Sequence, residues 1–208
     1  MLAPATNEDE EHMMRGFAGM GLALLLGLLT GCATIEPAVQ TTAKPETGMA
    51  YVAGQFSRSN SGGFAFVLQN LDSNAEYSMS LGEDGTWPKD VKDQVLAVKL
   101  PPGRYAVRQW FTYGTLTKER SRSHAVSNTE LSRPFQVASG SVLFLGGFSA
   151  DTVTRGNQIF WTIKPRLLKE DEAQTAFQSA YPALAALPFE CHMCISPLLP
   201  PWMVPKDR

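Results

Sequence analysis

Short apolar or alternating segments, separated by turn residues, limit the fold of this chain more than any other feature. At 76–81 and 159–164, apolar and polar side chains alternate with period two, as they do in strands with one buried face. The segments at 63–69 and 141–148 are almost continuously apolar, which is expected of central strands covered on both faces. Together with four weaker segments, they predict a mainly β domain over 49–164, an antiparallel β-sandwich of about eight strands.

The four weaker segments lie near 49–56, 94–100, 103–111 and 133–138. Two of them are separated by Pro101, Pro102 and Gly103, where proline presets a turn and glycine can take the positive φ that closes it. The sequence therefore predicts a hairpin at this point. The residues LPPGRYAV also resemble the turn of small extracellular sandwiches of the prealbumin-like or carboxypeptidase-regulatory-like type. This resemblance supports the sandwich class and implies no active site.

The residues after Pro165 change period. Ala173, Phe177 and Ala180 recur at helical spacing, and three acidic residues stand near the start, where they favour the N-terminus of a helix. We predict one short helix that caps an open end or an edge of the sandwich. Residues 165–208 would then comprise this helix and a proline-rich tail.

A thirteen-residue apolar run, Phe17 to Leu29, follows a single positive residue, Arg15. As a helix it would span about 20 Å, whereas the hydrocarbon core of a bilayer is about 30 Å thick. Three glycines interrupt the run and helical periodicity is missing, so a buried core helix also fits poorly. A short apolar run behind a positive residue is typical of a signal peptide, predicted here over residues 1–31.

The end of this run resembles the lipobox of bacterial lipoproteins, with Leu29, Thr30, Gly31 and Cys32 in its four positions. The resemblance implies that signal peptidase II cuts before Cys32, and that this cysteine carries diacylglycerol on its sulfur and usually an acyl group on its new amino terminus. Several acyl chains hold a protein on a membrane stably, whereas one is marginal. Ala33 stands where aspartate would tend to retain a Gram-negative lipoprotein in the inner membrane. The resemblance therefore implies the periplasmic side of the outer membrane.

The first residues are acidic, with four carboxylates at positions 8–11 where a signal peptide is expected to be positive. Translation is therefore expected to start at Met13 or Met14. Removal of residues 1–31 also removes one arginine, so the formal charge changes from -2 to +1 for the 177 mature residues. Residues 32–48 contain two prolines and no aromatic residue, which predicts a lipidated N-terminus followed by a semi-extended tether.

Cys191 and Cys194 form a CxxC pair that remains once Cys32 is assigned to lipid. In an oxidising compartment, the plainest prediction is a local disulfide. A redox role would need the first cysteine at a helix N-terminus after a strand, and prolines bracket the motif instead. A metal site would have to use His192 or the distant His124, without a spaced ligand set. Thiol-redox chemistry or metal binding through Cys191, His192 and Cys194 is the alternative hypothesis.

Three tryptophans, Trp87, Trp110 and Trp161, are candidates for an aromatic platform that binds sugars or peptides, although burial in the core is the default for such residues. The tail beyond residue 195 is also apolar and rich in proline. Its apolar residues cannot build a core alone, so we expect them to pack on the sandwich or, if exposed, to mark a partner or membrane surface. They are Leu198, Leu199, Trp202, Met203 and Val204.

Two polar segments are best explained as connections. The first contains His124 and is predicted to be a solvated loop between strands, with a ligand role for its charges as the alternative. The second, at 83–85, favours a turn over a cation site, which would need alternating acids over a longer stretch. Their charged residues are Lys118, Arg120, Arg122, Glu83 and Asp84.

Composition and motifs limit the function. With 44% hydrophobic residues the chain can bury a core, and a pI near 5.9 without a basic cluster argues against nucleic acid as a partner. The motifs GxSxG, HExxH, GxxxxGK[ST] and SxxK are missing from the sequence, and we predict no catalytic, cofactor or metal residue. The sequence predicts a non-enzymatic envelope lipoprotein that binds a ligand or an envelope protein, or serves in assembly, held to the membrane through Cys32.

Overall fold

The computed structural model describes residues 35–59, 62–84 and 90–195. The predicted signal peptide, Cys32, Trp87 and the tail beyond Ile195 lie outside the described residues. Those described form ten strands in two sheets of five, with short helices, which confirms the mainly β class. The strands are β1 Ala50–Arg58, β2 Gly63–Asn70, β3 Glu76–Ser80, β4 Val91–Leu100, β5 Gly103–Tyr113, β6 Arg120–Ala125, β7 Phe135–Val137, β8 Val142–Arg155, β9 Gln158–Arg166 and β10 Phe189–Cys191. The helices are α1 Thr129–Ser132 and α2 Glu170–Ala180, followed by a 3-10 turn at Pro182–Leu184.

Sheet I has the strand order β3, β2, β5, with β6 and β7 sharing the far edge of β5. β6 pairs with the C-terminal half of β5, from Gln109 to Tyr113, and β7 pairs with the first three residues of β5. All pairs in this sheet are antiparallel. Sheet I therefore agrees with the antiparallel prediction.

Sheet II has the order β4, β1, β8, with β10 and β9 sharing the far edge of β8. Here β1 and β8 run parallel, as do β10 and β8, whereas β4 and β9 are antiparallel to their neighbours. Sheet II is therefore mixed, unlike the purely antiparallel arrangement that the sequence predicts. Alternating side chains show which face of a strand is buried, but they do not encode the direction of its neighbour.

The prediction of a hairpin at Pro101 and Pro102 is wrong. The turn exists, but β4 before it pairs with β1 in sheet II, whereas β5 after it pairs with β2 in sheet I. The chain thus crosses from one sheet to the other. Proline and glycine specify a change of direction, and the partner of each strand is decided by the residues it packs against.

The core lies between the inner faces of the two sheets. Phe66 from β2 makes an edge contact with Phe148 from β8, with ring centroids 5.1 Å apart, and Phe56 from β1 stacks on Phe148 at 6.0 Å. All three rings are fully buried. β2 and β8 are central in their sheets and nearly all of β2 and the first half of β8 are buried, which confirms the prediction from their continuous apolar runs.

Helix α2 covers the outer face of sheet II. Ala173 and Phe177 are buried against Tyr51 and Phe144, as the helical spacing predicts. The helix covers a sheet face instead of the predicted edge or open end, because the apolar residues of β1, β4 and β8 on that face need burial. In the part of the chain that the structure describes, no helix is long and apolar enough to cross a membrane.

Candidate functional site

The segment that follows the predicted lipid attachment is fixed to both sheets. The Glu36 N–H donates to the Ser78 carbonyl in β3 at 2.8 Å, and the Val39 N–H donates to the Ala97 carbonyl in β4 at the same distance. β3 and β4 are the edge strands of sheets I and II. The predicted tether is therefore bound into the fold from Ile35, which forms a bridge with Ser78. In the sequence, only Ala33 and Thr34 separate Cys32 from Ile35.

Ile35 packs on the outer face of sheet I, against a cluster that includes Val67, Phe111 and Tyr113. A cation lies over each of the two aromatic rings. The Arg120 guanidinium carbon is 4.0 Å from the centroid of Phe111, within the range of a cation–π interaction, and Lys118 Nζ is 5.5 Å from that of Tyr113. The structure thus brings Ile35 and two basic residues to one cluster.

Arg120 and Arg122 belong to a strand where the sequence predicts a solvated loop, whereas Lys118 lies in the loop before that strand. Arg120–Ala125 form β6, which pairs with β5 at the edge of sheet I. Five of its six residues are exposed, so it lacks the apolar alternation by which strands are recognised. Its pairing depends on the backbone of β5, and charged side chains on an exposed edge strand discourage pairing with other chains.

A buried ion pair lies beneath the β5–β6 loop. Arg58 at the end of β1 donates from Nη2 to Asp84 Oδ1 at 2.9 Å, and the two side chains are 1% and 11% exposed. Asp84 also accepts hydrogen bonds from the Tyr113 hydroxyl at 2.7 Å and from Lys118 Nζ at 2.6 Å. Burial alone would raise the pKa of Asp84, but the hydrogen bonds from its three partners outweigh burial and lower it. The carboxylate therefore stays charged at neutral pH, and Asp84 does more than form the predicted turn.

Tyr113 is held tightly in this network. Burial, and then the hydrogen bond to the Asp84 carboxylate, raise the pKa of its phenol, so it remains a hydrogen-bond donor. Its ring lies directly over Gly63, where a Cβ would overlap the ring. Arg58 also donates to the carbonyls of Gly62 and Glu83 at 3.1 and 3.0 Å. The network joins β1 of sheet II to β5 of sheet I at one end of the sheets.

Trp110 and Trp161 are half-buried and pack against the core. The His124 ring stacks on the Trp110 ring with centroids 4.1 Å apart, and the Phe64 ring also stacks on Trp110, with centroids 6.1 Å apart. The Arg122 guanidinium lies 4.6 Å from the ring centroid of Trp161 and links β6 to β9. Both tryptophans are engaged by other side chains, so neither is an open platform for a sugar ring.

A cleft of about 220 Å³ lies between the N-terminal segment and sheet II. Its charged lining residues include Lys99, which pairs with Glu46 at 2.6 Å, and Glu36, whose pKa is raised by burial. The Tyr51 hydroxyl accepts a hydrogen bond from the Glu46 N–H at 2.9 Å. Through Glu46, these contacts fix the N-terminal segment to β1 and β4.

Cys191 and Cys194 form a disulfide, as the sequence predicts. His192, between them, lies 2.9 Å from the Glu130 carbonyl through Nε2 and packs against the ring of Phe135. Burial lowers the pKa of His192. Through His192, the disulfide segment thus contacts Glu130 of α1 and Phe135 of β7.

The described residues contain no group of three or more His, Cys, Asp or Glu side chains placed to hold a metal ion. Sequence reasoning missed two residues of the buried network, Tyr113 and Arg58, and only Arg58 carries a charge. Its only signal is that a single charged residue ends the apolar strand AYVAGQFSR, and charged residues are almost never fully buried unless paired.

No protein-family model and no curated protein matches the sequence. Among solved structures, the chain is similar to a leucine-rich repeat protein from Bacteroides thetaiotaomicron, with 14% identity and a TM-score of 0.34. The similarity covers 50% of this chain and only 12% of that protein. A similarity of this size carries no argument about function.

Proposed function

We propose that this protein is a lipid-anchored envelope lipoprotein without enzymatic activity, which binds a ligand or an envelope protein or serves in assembly. Cys32 carries the acyl chains, and the folded domain stands on the periplasmic side of the outer membrane. The observation that carries the proposal is the lipobox-like sequence at Leu29–Cys32, directly behind a short apolar run.

Two features of the fold support export and anchoring. The Cys191–Cys194 disulfide suits an oxidising compartment, where such bonds form and persist. The backbone hydrogen bonds of Glu36 and Val39 lie within a few residues of Cys32 in the sequence, so contacts to both sheets occur close to the proposed cleavage point. A chain cut before Cys32 would keep every contact described above.

We further propose that the two sheets form a sandwich. The support is the shared core, in which Phe66 of sheet I meets Phe148 of sheet II. The Tyr105 hydroxyl also donates to the Pro101 carbonyl at 2.8 Å, four residues upstream. A similar local contact, the tyrosine corner, occurs in immunoglobulin-like sandwiches. The prealbumin-like resemblance of LPPGRYAV remains part of this proposal.

A binding or structural role is favoured because the reactive groups are engaged in structural contacts. The two sulfurs are bonded to each other, His192 is directed to the Glu130 carbonyl, and Asp84 accepts three hydrogen bonds. Each of these groups would have to break a stabilising contact before it could act on a substrate. The alternative, thiol-redox or metal chemistry at Cys191, His192 and Cys194, would require the disulfide to open.

The anchor is tested by comparing wild type with Cys32→Ala in membrane fractionation, together with mass spectrometry of the N-terminal peptide. We expect wild type in the outer-membrane fraction with lipid on Cys32, and the variant to lose both properties. Cys191→Ala is a matched control, because it removes a different sulfur and leaves Cys32 in place. If the Cys32→Ala protein stays with membranes and the wild-type peptide carries no lipid, the anchoring proposal is wrong.

The alternative is tested by titrating free thiols in protein taken from the native envelope. A disulfide that resists mild reductants is expected for a structural role. A reactive thiol pair, or stoichiometric metal after purification without chelators, would favour the alternative instead.

A further inference from the structure

We propose that the β5–β6 loop, residues 114–119, together with Arg120, forms a surface that contacts the phospholipid headgroups of the membrane carrying Cys32. This inference rests on the proposed lipid anchor and adds an orientation to it. The partner is a bilayer surface that contains anionic phospholipids.

The first argument is the length of the connection. Ile35 is three positions after Cys32 in the sequence, so their Cα atoms lie no more than about 11 Å apart even in a fully extended chain. Ile35 is fixed by its bridge to Ser78 and by packing on the cluster that contains Phe111 and Tyr113. The acyl chains therefore hold this part of sheet I close to the headgroups.

The second argument is the chemistry of the loop. Leu116 is 67% exposed, the largest fraction among the exposed large apolar residues of the described chain. Lys118 and Arg120 follow it, with Glu119 as the one acidic residue between them. An exposed apolar side chain near Arg120 suits the boundary between headgroups and acyl chains, where the guanidinium meets phosphate.

The third argument is that the loop is held in place. The Lys118 N–H donates to the Gly114 carbonyl at 2.8 Å, and the Gly114 N–H donates to that of Glu119 at 3.1 Å. Lys118 is further tied to Asp84. Arg120 forms no ion pair with another described residue, and its guanidinium lies on Phe111, a member of the cluster against which Ile35 packs. Leu116 and Arg120 are thus presented on a fixed support next to the anchor.

The test uses an environment-sensitive fluorophore on a single new cysteine, Leu116→Cys, in the lipidated full-length mature protein purified from membranes. Leu167→Cys is the matched control, because Leu167 is also an exposed leucine, 48% accessible, but follows β9 in sheet II. Both positions are exposed, so neither substitution is expected to prevent folding. The proteins are reconstituted into vesicles of equal parts phosphatidylglycerol and phosphatidylcholine.

We expect the emission of the probe at position 116 to increase and shift to shorter wavelengths on vesicles, and that of the probe at 167 to stay unchanged. The shift should decrease with Arg120→Gln, with pure phosphatidylcholine, and in 1 M salt, where the Debye length falls to about 3 Å. If the protein floats with the vesicles but both probes report water, the proposed contact surface is wrong while the anchor stands. If the protein does not float, the anchor itself is wrong and this inference falls with it.

Discussion

The two sheets are connected in different ways at their two lateral edges, one formed by β3 and β4 and the other by β6, β7, β9 and β10. On the side of β3 and β4, the backbone of the N-terminal segment donates to Ser78 in one sheet and to Ala97 in the other. The Tyr181 hydroxyl accepts from the Ala97 N–H at 3.1 Å, so both backbone groups of this edge residue are satisfied. On the opposite side, side chains make the connection, through Arg122 on Trp161 and through His192 at Glu130.

This difference shows two solutions to the same physical problem. An edge strand has unpaired backbone groups, which either find partners or must be protected from other chains. β3 and β4 are covered by a segment of the same chain, whereas β6 exposes its edge and carries arginines at 120 and 122. The covered side should therefore contribute more to stability than the exposed side.

The largest effect is expected at Asp84, whose hydrogen bonds join β1 to β5 at one end of the sheets. Asp84→Ala leaves the buried Arg58 guanidinium without its carboxylate, which should lower the free energy of unfolding by about 3–5 kcal/mol. The control is Glu130→Ala, because Glu130 pairs with Arg133 at the surface, where loss of a pair costs about 1 kcal/mol or less. Urea denaturation measures both. Equal losses in the two variants would show that the buried pair contributes no more than an exposed one.

A smaller effect is expected on the covered side. Tyr181→Phe removes the acceptor of the buried Ala97 N–H, which should lower the free energy of unfolding by about 1–3 kcal/mol. Hydrogen exchange at the Ala97 amide should also become faster, while amides in the centre of β8 keep their relative protection. Unchanged exchange at Ala97 would mean that Tyr181 does not protect this edge.

On the opposite side, His192 should make stability depend on pH. Because burial lowers its pKa in the folded state below the ordinary value of 6.5, the unfolded chain binds the proton first as the pH falls. The contribution of His192 to the free energy of unfolding is therefore complete above the pKa that this histidine has in the unfolded chain, and it decreases as the pH falls below that value. His192→Gln should reduce the difference in unfolding free energy between about pH 7.5 and about pH 5. The loss of stability that follows protonation of Asp84 occurs only at lower pH, near and below the ordinary pKa of an aspartate. If the difference in unfolding free energy between the two pH values is the same in the variant as in wild type, His192 is not its cause.

The smallest effect is expected at Arg122. Arg122→Ala removes an exposed cation–π contact with Trp161, which should lower the free energy of unfolding by about 0.5–1 kcal/mol. Arg155→Ala, in the exposed end of the β8–β9 hairpin, is the control and should change it by less than about 0.5 kcal/mol. A loss at Arg122 as large as that at Tyr181 would show that the two sides are equally important.

The predictable part of the fold is the part with local periodicity. Apolar runs indicated β2 and β8 as central strands, and helical spacing indicated the buried face of α2 at Ala173 and Phe177. β6 has no such signal, because it forms by pairing with β5 while its side chains stay exposed. The prediction of a hairpin at Pro101 is wrong for a related reason, because a turn does not specify the sheet to which each flanking strand belongs.

The candidate site divides in the same way. The disulfide was predicted because Cys191 and Cys194 remain as a pair once Cys32 is assigned to lipid in an oxidising compartment, and the structure contains it. The lipobox-like pattern ending at Cys32 remains a prediction from the sequence. The closeness of Ile35 to Phe111 and Arg120 depends on which strands are neighbours. No local pattern in the sequence connects these residues.

The sequence by itself determined the strands with a continuous apolar run, such as β2 and β8, and the buried face of α2, because each depends on residues within a few positions of one another. The tertiary structure decided that sheet II is mixed, that the N-terminal segment covers two sheet edges, and that Arg58 is buried against Asp84. These outcomes depend on partners far apart in the chain, as Arg58 and Asp84 are, 26 residues from each other. A buried charge is tolerated only where folding brings its counter-charge to it.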